Sequence, residues 1–257
     1  MGVLRTIAVA FSMFSRIPMP RVEWDEKSMK NMLAAFPLVG IVVGALLALW
    51  AYLCTLLGFG KILFAAGMTL LPVIVTGGIH LDGFCDTADA LASRAEPERK
   101  REILKDPHTG AFAVITLCAY LLAYFAFASE LEIGVRAVLP VGVMHVMSRS
   151  LSGLSVILFP TSASKGLLST FRESAEKKQS AVMLLVLFAA SAAAMIALST
   201  VCGIVMTAAA LLCLLWLRVM SARQFGGMSG DLAGWFLQTA ELCMLAVLVI
   251  VERLSAL

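Results

Sequence analysis

Long apolar stretches with almost no charge recur along the whole chain, and no other feature restricts its fold as strongly. A run of about 20 such residues spans a bilayer as a helix, because in lipid only a helix or a closed barrel pairs its own backbone polar groups. A barrel is excluded because its strands would alternate apolar and polar residues, whereas these stretches are continuous. Only 14% of residues are charged, against about a quarter in a soluble domain. The expected fold is an all-α, polytopic integral membrane helical bundle.

Seven segments read as crossings: 33–59, 62–81, 111–129, 137–159, 181–199, 204–217 and 232–251. The apolar tract 181–217 is too long for one helix and is divided near Thr200–Gly203. "MGVLRTIAVAFSMFSRIPMP" has an apolar stretch of about ten residues, which suits an interfacial or re-entrant helix and not a cleavable signal. Gly40 and Gly44 form a small-xxx-small pair suited to close helix packing. No internal repeat or linker divides the chain, so residues 1–257 are read as one domain.

Basic residues fix the expected orientation. With seven crossings, the N-terminal segment and loops 82–110, 160–180 and 218–231 share one side and hold sixteen of the 20 Lys and Arg residues. Lys61, Arg136 and Arg253 fall opposite, and Arg149 falls within a helix. This asymmetry places the first side in the cytoplasm. The net charge of +3 gives no footprint for nucleic acid. Five of the 6 cysteines lie in apolar runs and none forms a CxxC pair, which reads as core filling in a reducing context. Cys85, among acidic residues, reads as a bystander.

That acidic stretch is "GGIHLDGFCDTADALAS", residues 77–93. Asp82, Asp86 and Asp89, spaced i, i+4 and i+7, share one helix face. Three carboxylates on one stripe repel unless a cation lies among them, and hard oxygen ligands suit Mg²⁺ or Mn²⁺. The plainer reading is a solvated helix end with Asp82 as its N-cap. Asp106, before Pro107, is either a further ligand or a turn former. His80 and His108 flank the acidic residues as hydrogen-bonding neighbours, and the segment 94–105 reads as an amphipathic surface helix.

A second unusual stretch is "RQFGGMSGDLAG", residues 223–234. Gly226, Gly227 and Gly230 allow close backbone approach, Ser229 and Asp231 add polar atoms, and the amides opening the next helix suit a phosphate. Within the bilayer, Arg149 stands near His145 and Ser148 and either grips a phosphate or pairs with Glu241. Methionines and scattered aromatics read as core filling.

Taken together and in order, "GGIHLDGFCDTADAL", "LKDPHTGAFA" and "RQFGGMSGD" resemble the adenosylcobinamide-GDP ribazoletransferase, or cobalamin (5′-phosphate) synthase, family. "FSRIPMP" (14–20) and "FPLVG" (36–40) resemble its N-terminal signatures, so the likeness covers nearly the whole chain. Three positions depart from the family pattern: Ala90 stands for Gly, Ser229 for Thr, and "DPHTG" (106–110) for "DSRxG".

The resemblance implies an Mg²⁺-dependent transferase (Mn²⁺ as the alternative) that joins adenosylcobinamide-GDP to α-ribazole or its 5′-phosphate and releases GMP. It implies metal ligation by Asp82, Asp86, Asp89, Asp106 and Asp231, and catalysis by Asp82, Asp86, Asp89 and Arg149. Substrate contacts would come from Arg16, His80, Arg223, Gly226, Gly227, Ser229 and Gly230. A bacterial or archaeal inner membrane, a cytoplasm-facing site, other late cobalamin-pathway enzymes as partners and a homo-oligomer complete the expectation.

Two rivals differ. A CDP-alcohol phosphotransferase would need Ala-Arg after Asp-Gly and a Gly-x3-Asp-x3-Asp ending, which "DGFCDTADAL" lacks. A cation-coupled transporter would place paired carboxylates at mid-membrane within an inverted repeat, and no such repeat is visible.

Overall fold

The computed structural model describes residues 2–20, 31–161 and 177–255. Ten helices form among them: α1 (Gly2–Phe14), α2 (Met32–Leu57), α3 (Lys61–Thr76), α4 (Ile79–Ala92), α5 (Pro97–Ile103), α6 (Ala111–Glu130), α7 (Val135–Leu158), α8 (Lys177–Leu198), α9 (Thr200–Phe225) and α10 (Gly230–Ser255). Six of these, α2 and α6 to α10, are long and apolar enough to cross a bilayer, making the chain a multi-pass membrane protein. The short apolar α1 packs against α2. Arg21, Lys27, Lys30, Lys165 and Arg172, counted in the charge asymmetry, lie outside the described residues.

Two expected segments change. The crossing read as 62–81 ends at Thr76, where Gly77 (φ 67°) and Gly78 (φ 80°) take left-handed conformations open to glycine. The chain then leaves in α4, bent 95° from α3. By length and composition α3 and α4 qualify only together, so a seventh crossing is counted only where this bent pair is one span. The backbone N–H of Arg16 donates to Val75 O at 2.8 Å, tying the exit of α1 to this bend. The short segment 204–217 is instead part of the 26-residue α9. The break falls at Ser199, one residue before the Thr200–Gly203 stretch read as the interruption. Gly203 lets α9 fold back closely on Met195 and Ile196 of α8.

Enclosure sorts the crossings. The most apolar stretch of α7 is 78% buried and that of α8 only 17%, so α7 forms the axis and α8 an outer, lipid-facing member. The axis is held to α2 by glycines. A Cβ on Gly40 would strike the carbonyl of His145, and one on Gly44 would stand 2.9 Å from Cα of Gly142. The small-xxx-small pair thus seats α2 on α7.

Gly40→Val is expected to remove about 3 kcal/mol of stability, since the added carbons meet backbone that cannot swing away. Gly60→Val, with nothing within 4 Å of its Cβ position, should shift stability by less than about 0.5 kcal/mol. Thermal denaturation of both variants in detergent checks this; equal losses would refute the assignment of Gly40 as a contact residue.

Candidate active site at the α4–α10 contact

Residues far apart in sequence meet where α4 lies on α10. A Cβ on Gly83 would stand 2.8 Å from Cα of Asp231, and one on Gly234 would stand 2.9 Å from the His80 carbonyl oxygen. Only glycine at both places lets the backbones approach so closely. Asp82, exposed, and Asp231, half-buried, consequently line one cavity of about 250 Å³.

The α4 aspartates do not play equal parts. Burial, and then the charges of Asp82, Asp231 and Asp89, push the Asp86 carboxyl up to about 6. Asp89 is committed elsewhere: its carboxylate accepts the Gly110 N–H at 2.6 Å and the Ala113 N–H at 2.8 Å. It therefore caps the start of α6, where a negative charge meets the positive helix end. The plainer sequence reading, with Asp82 as an N-cap, does not hold: the capping aspartate is Asp89, and the helix it caps is α6. Asp82 sits in the first turn of α4, whose N-cap is Gly78. Cys85 remains a protonated thiol, pushed up to about 11 by burial and then by Asp86.

Asp106 stands apart. Its exposed carboxylate accepts the His108 backbone N–H at 3.0 Å and pairs with His108 Nδ1 at 2.6 Å. These bonds, the backbone one foremost, hold it below the usual carboxylate range. Asp106 is a turn former here, and no α4 aspartate is among the charges acting on it.

The glycine-rich turn is a fastened joint. Gly226 and Gly227 both donate to Ser221 O, and Met228 donates to Pro160 O at 2.7 Å. Thr161 Oγ1 donates to Met228 O at 3.0 Å. From the other side, α5 clamps the end of α9: Arg101 reaches Phe225 O at 3.1 Å, and buried Lys100 bonds Gln224. The amides of residues 226–228 are thus committed within the protein, against the expectation that they hold phosphate. Ser229 Oγ accepts the Leu232 N–H at 3.2 Å and so caps α10. With Asp231 in its first turn, that helix start repels a bare anion. Gly230 lines the cavity, while Arg223 is exposed on α9.

Arg149 resolves in favour of its pair. Its guanidinium lies 2.8 Å from Glu241, with the two side chains 1% and 2% exposed. Ser148 Oγ donates to Glu241 at 2.6 Å, and His145 Nδ1 lies 2.9 Å from it. The same guanidinium stands 5.8 Å from the ring centre of Phe36, which lines the cavity. Arg149 is therefore not placed to touch a phosphate among the aspartates; it supports the cavity wall through Phe36. Arg16, also expected to contact substrate, lines a separate open groove of about 660 Å³ with Val73, Ile74, Val75 and Gly77.

Among the described residues, no three His, Cys, Asp or Glu side chains stand close enough to hold one metal ion together. The sequence reading missed Phe14 and Phe36 as cavity residues and took the aromatics as filling. The signal was available, since each opens one of the two N-terminal stretches, "FSRIPMP" and "FPLVG".

The profile of the cobalamin-5-phosphate synthase family matches residues 6–249. The chain belongs to this family. Among its relatives, the adenosylcobinamide-GDP ribazoletransferase of Lachnoclostridium phytofermentans is 40% identical over 249 residues, covering 97% of this chain and 95% of the relative. The enzyme of the same name from Clostridium botulinum (strain Alaska E43 / Type E3) is 32% identical, covering 94% and 95%. That from Desulfitobacterium hafniense is 33% identical, covering 95% and 96%. No solved structure matches. The cobalamin-5-phosphate synthase profile thus runs from within α1 to near the end of α10, taking in every element that builds the cavity.

Breaking one side of the Arg149–Glu241 pair strands a buried charge. Arg149→Met or Glu241→Met alone is expected to lower stability by about 3–5 kcal/mol, with the double variant recovering part of that loss. A double-mutant cycle of thermal denaturation measures it; strictly additive losses would show that the two groups are not coupled.

Proposed function

We propose that the Asp82–Asp86–Asp231 cluster, with a divalent cation, performs the joining of adenosylcobinamide-GDP to α-ribazole or its 5′-phosphate. The observation that carries the reading is the α4–α10 contact, which gathers carboxylates from two distant segments beside one cavity. Family membership and the shared name of the relatives support the reaction.

In the transfer, a ribose hydroxyl of the acceptor forms a bond to the phosphorus carried on the corrinoid arm. The phosphorus–oxygen bond to GMP breaks, and its electron pair leaves with GMP. Such a step depends on positioning and charge neutralisation more than on covalent help. When bound, Mg²⁺ neutralises the diphosphate and steadies the leaving phosphate.

The donor set fits that ion in kind, since it is all oxygen and self-repelling. It fits in number as well, since Mg²⁺ is held by one or two carboxylates together with substrate phosphates and water. Two carboxylates, with no third ligand beside them among the described residues, would therefore suffice to hold it together with substrate oxygens. Asp82 and Asp231 are the ligands, and the elevated Asp86, poised near neutral pH, is suited to take the hydroxyl proton. Asp89 serves the site by anchoring α6. The preponderance of basic residues on one flank supports a cytoplasm-facing site in a bacterial or archaeal cell membrane.

Asp82→Asn is expected to cut GMP release by at least about a thousandfold, the scale of one lost charge-stabilising group, with no fall in thermal stability. Chelation should abolish turnover, and Mg²⁺ or Mn²⁺ should restore it. Because Asp86 is protonated below about 6, it can no longer take the hydroxyl proton there. The rate of GMP release at saturating Mg²⁺ should therefore fall as pH drops through 6. Normal turnover of Asp82→Asn, or indifference to chelator, would sink the metal reading.

A further inference from the structure

We infer that the cavity beside Asp82 and Asp231 is the acceptor site, and that it holds the flat base of the nucleoside against rings from α1, α2 and α4. The inference rests on the transferase reading above and adds which substrate enters the cavity and which way round.

Three observations carry it. The first is ring geometry. Phe14, Phe36 and His80 all line the cavity. Their ring centres lie 4.2 Å apart for Phe14–Phe36, 5.3 Å for Phe36–His80 and 6.3 Å for Phe14–His80. Aromatic walls of this kind take a flat heteroaromatic ring in offset or tilted stacking.

The second is an unpartnered atom. His80 is only 6% exposed, and its Nε2 has no hydrogen-bond partner among the described residues. A buried ring nitrogen left unpaired carries a desolvation penalty that a ligand's polar atom would remove. A base nitrogen or ribose hydroxyl supplies that partner; a lipid tail does not.

The third is size and polarity. A volume of about 250 Å³ accommodates a bicyclic base with its ribose but not a corrin ring with its side-chain amides. One part of the lining is apolar, with Met13, Met32 and Phe36, and another carries Asp82 and Asp231. A nucleoside has the same division, with the base at the apolar part and the ribose hydroxyls at the carboxylates. That orientation sets the attacking oxygen at the metal cluster and leaves the corrinoid outside the recess.

The test uses the full chain in detergent or nanodiscs, with α-ribazole and adenosylcobinamide-GDP titrated separately. Phe14→Leu removes a ring without removing apolar bulk, and Val156→Phe fills the cavity from α7. Each is expected to raise KM for α-ribazole by at least about fivefold, while KM for adenosylcobinamide-GDP moves less than twofold. Equilibrium dialysis of α-ribazole without the corrinoid should show the same weakening, a readout that does not depend on turnover. If the wild-type chain transfers normally but both variants keep the acceptor KM, or raise the corrinoid KM instead, the acceptor assignment is overturned while the transferase reading stands. If the wild-type chain makes no product at all, the transferase reading itself has failed. Should Val156→Phe not fold, Phe14→Leu with its dialysis measurement decides alone.

Discussion

Two helices that touch without side chains between them hold this site together. Where α4 meets α10, Gly83 and Gly234 bring backbone against backbone. Asp82 and Asp231, separated by most of the bundle in sequence, come to share a wall because of it. Burial, and then their charges, raise the pKa of Asp86 to about 6 and make it a weaker acid. Any side chain added at this seam would spread the helices, and the charge cluster would dissolve into separate surface carboxylates.

The surrounding structure is organised to hold that seam in place. The 95° turn at Gly77–Gly78 swings α4 across to reach α10. Asp89 pins the start of α6 beneath it, and Lys100 and Arg101 fasten α5 to the end of α9 just before α10 begins. Deeper in, the Arg149–Glu241–Ser148–His145 network locks α7 to α10. A buried ion pair adds little net stability over an apolar substitute, but a packing that separates its two partners strands a buried charge. Placed at the axis of the bundle, it fixes which faces of α7 and α10 meet.

Much of this was legible in the sequence, and the failures have specific physical causes. Apolar length alone identified the crossings, because lipid leaves the backbone few choices. Gly40 and Gly44 announced a contact, though not that α7 would receive it. The turn at Gly77–Gly78 was missed because the apolar run continues through it to Leu81, and hydropathy carries no information about backbone angle. Spacing put Asp82, Asp86 and Asp89 on one face, but periodicity could not say that Asp89 would be spent on a helix 21 residues downstream. The glycine turn looked like a phosphate cradle because its amides are free in sequence. Pro160 and Ser221, distant in the chain or hidden in a helix, take them up.

The position of Phe36 has a bearing on the shape of the recess. One face of its ring borders the recess, while Arg149, bound into the bilayer-depth polar network, lies against it. Substitutions among those deep polar residues would tilt the ring and reshape the recess from behind. The width of the recess is thus open to change from the lipid-embedded interior, with the acidic residues that line it left untouched.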